Sequence, residues 1–195
     1  MLTEFLIKFG PSKKINEAFD KWRAKDIVDN HVLPYLKPNE SILDIGSGGG
    51  HICLNLKEKG FRVTPIDISN KSVAHSISPI IYNGLKVPFQ NKKFDVALIC
   101  TVLHHAKDPG QILKEAKRTA KRIIIIEDIY ENQAHKYLTY VADSLLNLEF
   151  IGHPHNNKND NEWKKIFEKM DLKILNTEYY KSLVVFKHAV YHLQA

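Results

Sequence analysis

The segment Ser41-Ile42-Leu43-Asp44-Ile45-Gly46-Ser47-Gly48-Gly49-Gly50 constrains the fold of this chain more than any other. Its first half reads as a short buried strand. The strand runs straight into a glycine loop, and a helical stretch follows. Glycine lets the backbone take φ > 0 and lets a ligand approach the main chain. A loop at the carboxyl end of a parallel strand is where open α/β sheets bind nucleotides. The segment therefore predicts a strand–loop–helix unit of an α/β sheet and, with it, a nucleoside cofactor.

Strands and helices alternate along the rest of the chain. Ile15, Phe19, Trp22, Ile27, Val28 and Val32 recur at helical spacing and predict an amphipathic helix over about 16–36, closed by Pro34 and Pro38. A helix from about His51 to Lys59 ends at Gly60, and Phe61 to Ile66 is a second strand. Ser69 is the expected N-cap of a short helix through His75. Ser78 to Tyr82 reads as a third strand, and Phe94 to Cys100, apolar on both faces, as a central parallel one. Asp108-Pro109 pairs an N-cap with a first helical position for a helix to about Ala120. Arg122 to Ile126 is a fifth strand, with Glu127 and Asp128 at its carboxyl end. Helices are expected over 133–148 and from about Asn161 to Met170. Two β-rich runs, Lys173 to Tyr180 and Leu183 to Val190, follow with no helix between them, so one is expected to be antiparallel. The pattern predicts a mostly parallel sheet with helices on both faces. The length of 195 residues fits a single domain over 1–195.

Composition removes several function classes. No apolar run reaches the roughly 18 residues of a membrane span, so no membrane association is expected. The N-terminus lacks the basic start and small-residue cleavage site of a signal peptide. Cys53 and Cys100 lie far apart in apolar surroundings and read as buried thiols of a reduced, cytoplasmic compartment. The net charge is +6, but the cations are scattered as pairs such as Lys13-Lys14 and Lys92-Lys93, without a basic arm. A solvated surface is therefore favoured over a nucleic-acid partner.

The loop's details select the cofactor. Glycines 46, 48 and 50 give G-x-G-x-G, whereas a dinucleotide fingerprint G-x-G-x-x-G would need glycine where His51 stands. Asp44 sits two residues before the first glycine. A carboxylate there suits an ammonium group and not a pyrophosphate. Asp67 ends the second strand about twenty residues past the first glycine, where a carboxylate accepts hydrogen bonds from ribose hydroxyls. Ile68 beside it can cover one face of an adenine ring.

These residues, together with Leu85-Lys86-Val87-Pro88-Phe89, Phe94-Asp95-Val96 and Val102-Leu103-His104-His105 leading to Asp108-Pro109, resemble the class I S-adenosylmethionine-dependent methyltransferases. The type 11 branch, which includes the ubiquinone and menaquinone C-methyltransferases, is the most similar group. The resemblance covers about 40–128 well. It implies a Rossmann-like seven-stranded sheet in the order 3-2-1-4-5-7-6 with strand 7 antiparallel. It also implies S-adenosylmethionine across the carboxyl ends of strands one, two and four. Asp44 and Gly46, with Ser47, Gly48 and Gly50 of the same loop, would serve the methionine end, and Asp67 and Ile68 the ribose and adenine. Asn83, followed by Gly84, stands where family members often carry an aspartate against the adenine amino group, and its side-chain oxygen can still accept from that amine. Cys100 and Thr101 would line the methyl-donor side, with Cys100 a packed thiol and not a nucleophile.

Methyl transfer from a sulfonium needs donor and acceptor held in line, and a base only where the acceptor must first lose a proton. His104 and His105, after the fourth strand, are the candidate bases. Asp128 could orient an acceptor. Residues from about 129 to 160 are expected to form a lid, with His153, His155 or Asn157 pointing inward, while 1–38 form a helical cap. No metal is expected. The absence of an Asn/Asp-Pro-Pro-aromatic motif argues against adenine-N6 or glutamine methylation. The expected function is methyl transfer to a small molecule. An RNA or protein methyltransferase and a non-catalytic S-adenosylmethionine-binding partner subunit are the alternatives.

Overall fold

The isoleucine run at the centre of the chain shows how the layers are set. Ile123, Ile124, Ile125 and Ile126 are all 0% exposed, because the strand that carries them is covered on both faces. Successive side chains alternate. Ile123 and Ile125 pack with Trp163, Phe167 and Tyr191, while Ile124 and Ile126 pack with Val28, Val32 and Leu56.

The computed structural model describes residues 13–139, 156–182 and 186–195. Its strands are β1 (Ser41–Ile45), β2 (Arg62–Asp67), β3 (Ile80–Ile81), β4 (Phe94–Cys100), β5 (Ala120–Ile129), β6 (Lys173–Ser182) and β7 (Phe186–Gln194). They form one sheet in the order β3-β2-β1-β4-β5-β7-β6, as expected. β1 to β5 pair in parallel, and β7 lies antiparallel to both β5 and β6. The helices are α1 (Lys13–Asp26), α2 (His51–Glu58), α3 (Pro109–Thr119) and α4 (Asp160–Lys169). None among the described residues is long and apolar enough to cross a membrane. α3 starts where the sequence placed it, with Asp108 accepting from the Gln111 N–H at 3.1 Å and Pro109 at the first position. A capping box between Asn159 and Glu162 opens α4.

Several boundaries differ from expectation for identifiable reasons. No helix forms over 69–75. The Ser69 N–H donates to Asp67 and the Ser72 N–H to Asn70, and such side-chain turns compete with a helical start. The third strand shrinks to Ile80–Ile81 because it is an exposed edge. The first helix does not run regularly to Leu36: α1 passes into a π-helical segment, Ile27–Val32, and a 3-10 turn, Leu33–Tyr35, carrying Pro34. Asp128 and Glu127 lie inside β5, not beyond it, because β7 extends the pairing to Ile129. The last strand, described from Phe186, ends at Gln194, beyond the expected Val190. Residues 133–139 are helical, and the rest of the helix expected over 133–148 lies outside the described residues, as do His153 and His155.

Candidate active site

The carboxyl ends of β1, β4 and β5, the start of β7 and the inner face of α1 surround one cleft of about 450 Å³. That falls within the roughly 300–1,000 Å³ usual for small-molecule sites. The loop after β1 forms its floor. Gly46 sits at φ +76, and a Cβ there would lie 2.6 Å from a Val102 methyl, so only glycine lets the loop cross under β4. The Gly46 N–H donates to the Ile66 carbonyl at 2.9 Å, which ties the loop to β2. Gly50, at φ +81, precedes the first residue of α2.

One end of the cleft collects buried polar atoms that lack hydrogen-bond partners. Asp44 is 2% exposed, and its Oδ2 accepts from no described group. Burial first, then the neighbouring Asp67 charge, push its carboxyl up to about 7. Ser47 Oγ and both ring nitrogens of His51 are also buried and unpartnered. Arg23 of α1 lines the same cleft. Buried polar groups are normally satisfied, so a cluster of exceptions marks a place where a ligand completes the bonding. Acceptor and donors together match a zwitterion: Asp44 for an ammonium, His51, Ser47 and Arg23 for a carboxylate. Asp44 and Ser47 belong to the glycine-loop motif, whereas no motif marks Arg23, and His51 stands out in the sequence only as a misfit to the dinucleotide pattern.

The other residues expected to hold the cofactor lie beside this cleft. Asp67 Oδ2 accepts from the Gly48 N–H at 2.9 Å and its Oδ1 from the Ser69 N–H at 3.2 Å. An ionised carboxylate has about four acceptor sites, so each oxygen keeps one for a ribose hydroxyl. Ile68 is 66% exposed and Leu85 61%, apolar surface fit for a base to rest on. Gly84 packs its backbone against Ile68. Asn83 departs from expectation. Its Oδ1 accepts from the N–H groups of both Leu85 and Lys86 at 3.0 Å. Both lone pairs are in use, so this oxygen is not free for an adenine amine.

At the far end of β4, Thr101 adopts φ +51, a left-handed conformation costly for a β-branched residue. Burial pushes the adjacent Cys100 thiol up to about 12, so it stays protonated and is no nucleophile. A 3-10 turn, Leu103–His105, follows. Its anchor is Glu127, 0% exposed, whose Oε1 accepts from the Val102 and Leu103 N–H groups at 2.9 and 2.6 Å. Glu127 Oε2 lies 2.5 Å from His104 Nδ1. His104 is 2% exposed and tilts against the His105 ring at 4.0 Å. Both histidines line the cleft. Asp128 lines it too, paired with His188. Asn157 is buried outside the cleft wall, with its Oδ1 unpartnered, whereas Asn156 binds the carbonyls of His104 and Ala106. Among the described residues, no group of three or more His, Cys, Asp or Glu side chains is placed to hold a metal ion.

Residues 43–123 match the sequence profile of a family described as a methyltransferase domain. The match begins in β1 and ends in β5, and it spans the glycine loop, Asp67 and the His104 turn. Over this stretch the chain is similar to a methyltransferase domain. It is 34% identical over 118 residues to an uncharacterised protein of Methanocaldococcus jannaschii, covering 56% of this chain and 55% of that one. It is 30% identical over 92 residues to a ubiquinone biosynthesis O-methyltransferase of Caulobacter vibrioides, covering 42% of this chain and 36% of that protein. It thus spans between about a third and just over half of these curated relatives. A solved structure of a SAM-dependent methyltransferase from Methanosarcina mazei has a similar fold, with a TM-score of 0.67 at 20% identity, covering 85% of this chain and 97% of the other.

Proposed function

We propose that the protein transfers the methyl group of S-adenosylmethionine to a small-molecule acceptor. The observation that carries the reading is the set of orphaned buried atoms on Asp44, Ser47 and His51 around the glycine loop. Bound there, S-adenosylmethionine supplies a sulfonium methyl group. Asp44 would take its ammonium, Asp67 its ribose, and the apolar surface of Ile68 its adenine. The β4 turn, with His104 and His105, lines the same cleft. The ubiquinone biosynthesis O-methyltransferase among the relatives and the size of the cleft both support a small acceptor. Titration calorimetry with S-adenosylmethionine and with NAD tests the reading. Binding of the first and not the second is expected; NAD binding, or no heat with S-adenosylmethionine, would refute it.

Replacing Asp67 by alanine removes two acceptors for the ribose and the brace on the Gly48 N–H. Each hydrogen bond to a charged group contributes about 1.5–3 kcal/mol. Affinity for S-adenosylmethionine is therefore expected to fall on the order of a hundredfold. An unchanged dissociation constant would place the ribose elsewhere.

A further inference from the structure

We infer that Ser182, His188 and Asp128 form a proton relay at the acceptor end of the cleft, and that the acceptor presents a hydroxyl group. This deepens the proposed methyl transfer and rests on it.

The arrangement follows from strand register. Asp128 on β5 lies directly opposite His188 on antiparallel β7, and His188 lies opposite Tyr180 on β6. Directly opposed residues of an antiparallel pair project from the same face. The three side chains therefore stand in one row. His188 Nδ1 lies 2.6 Å from Asp128 Oδ1, oblique to the ring N–H, and the two groups are 2% and 8% exposed. The other ring nitrogen, Nε2, lies 2.6 Å from Ser182 Oγ. Asp128, His188 and Ser182 all line the cleft. Tyr180 stacks on the His188 ring at 4.6 Å, and His31 stacks on Tyr180 at 3.7 Å, which fixes the imidazole plane.

Carboxylate, imidazole and hydroxyl in this sequence are the parts of a general-base relay, recognised by geometry and not by chain order. Burial raises the Asp128 carboxyl, but His188 at 2.6 Å, with His104 and Arg23 nearby, holds it below its ordinary value, so it stays ionised. It can then orient Nδ1–H and leave Nε2 as the accepting nitrogen. Ser182 is half-buried and forms the open end of the relay. His104 is placed differently: its Glu127 partner also holds two backbone N–H groups, which makes that pair the anchor of the turn.

Proton balance fits a hydroxyl acceptor. The acceptor oxygen gains a bond to the methyl carbon and loses its bond to hydrogen, and the C–S electron pair remains on sulfur. The acceptor's proton passes to Ser182 Oγ, the Ser182 proton passes to His188 Nε2, and the resulting imidazolium is paired with Asp128. Solvent takes the proton afterwards. An acceptor already ionised would not need these residues.

Two measurements on the full chain test the inference. The first is 15N NMR of the imidazoles, assigned with His188→Gln. The relay requires His188 to carry its proton on Nδ1 at neutral pH. A proton on Nε2 would make the ring a donor to Ser182 and overturn the proposal, whatever the acceptor. The second is turnover of 3,4-dihydroxybenzoate, 4-mercaptobenzoate and 4-aminobenzoate. We expect methylation of the hydroxyl probe, with kcat about a hundredfold lower in His188→Gln and about tenfold lower in Ser182→Ala. The deficit should shrink with the thiol probe, which binds ionised. The kcat–pH profile of the hydroxyl probe should lose its acid limb in His188→Gln; Asp128 from β5 and Ser182 and Tyr180 from β6 contact the ring, and Arg23 from α1 and His104 from the β4 turn act on Asp128. Equal losses on all probes, or methylation of the amine or thiol without the hydroxyl probe, would overturn the substrate class. Calorimetry with S-adenosylmethionine separates the two levels: variants that bind it normally but fail on the hydroxyl probe support the relay, whereas a wild-type chain that does not bind it sinks the methyl-transfer reading itself.

Discussion

Glu127→Ala is expected to destabilise the fold by about 3–5 kcal/mol, the cost of removing one partner from a buried charged network. The residue is 0% exposed, and its two oxygens take the N–H groups of Val102 and Leu103 and the Nδ1 of His104. Alanine would leave these donors in a dry interior, each costing roughly 1–3 kcal/mol. For a chain of this length, the loss corresponds to a fall in Tm on the order of 10 °C. Glu127→Gln keeps an acceptor for the two backbone groups and should cost less than half as much. Thermal and denaturant unfolding of both variants checks the account. An alanine variant within 1 kcal/mol of the wild type, or a glutamine variant equally damaged, would mean that the carboxylate is not the anchor. The His104 turn also forms part of the cleft, so the alanine variant should bind S-adenosylmethionine less tightly even where it is folded.

The same residue shows what the sequence could and could not disclose. Its place at the end of the isoleucine run was legible, because four consecutive apolar β-branched residues leave little choice but a buried strand. Its partners were not, since they come from a turn some 25 residues earlier, brought close only by the parallel pairing of β4 and β5. Local chemistry was read well wherever a motif acts on its own neighbours: the Asp108-Pro109 start of α3 and the strand–loop–helix turn at the glycine loop. It was misread where two local options compete, as at 69–75, where Asp67 and Asn70 hold turns that replace the expected helix. Asn83 failed for a related reason. An asparagine two residues before an N–H readily closes a turn on itself, and that bond consumed the oxygen assigned to adenine. His188 and Ser182 carried no signal at all, because their significance comes from the antiparallel register that sets His188 across from Asp128.

Asp44 should respond to mutation with opposite signs in stability and binding. Its carboxyl, raised to about 7 by burial and by Asp67, is protonated more readily in the folded chain than in the unfolded one, where an aspartate titrates near 4. Between those values the native state binds the extra proton, so stability falls as pH rises from about 4 to about 7 and levels above. A shift of this size corresponds to about 4 kcal/mol at pH 8. Asp44→Asn removes the ionisation. It should stabilise the ligand-free protein at pH 8 by roughly 2 kcal/mol, less than the full amount because the buried amide needs partners of its own. Near pH 4 the gain should vanish. Binding runs the other way. An ammonium favours the ionised carboxylate, so affinity for S-adenosylmethionine should rise with pH up to about 7. It should fall again above about 8, as the ligand's amino group loses its proton. The acid limb belongs to Asp44 and should disappear in Asp44→Asn, together with at least tenfold of the affinity at pH 7.5. Calorimetric titrations across pH 5–9, paired with unfolding curves of the ligand-free chain, measure both halves. A variant that is less stable at pH 8 would show that the buried carboxylate is satisfied without ligand, and a retained acid limb would move the ammonium away from the first strand's end.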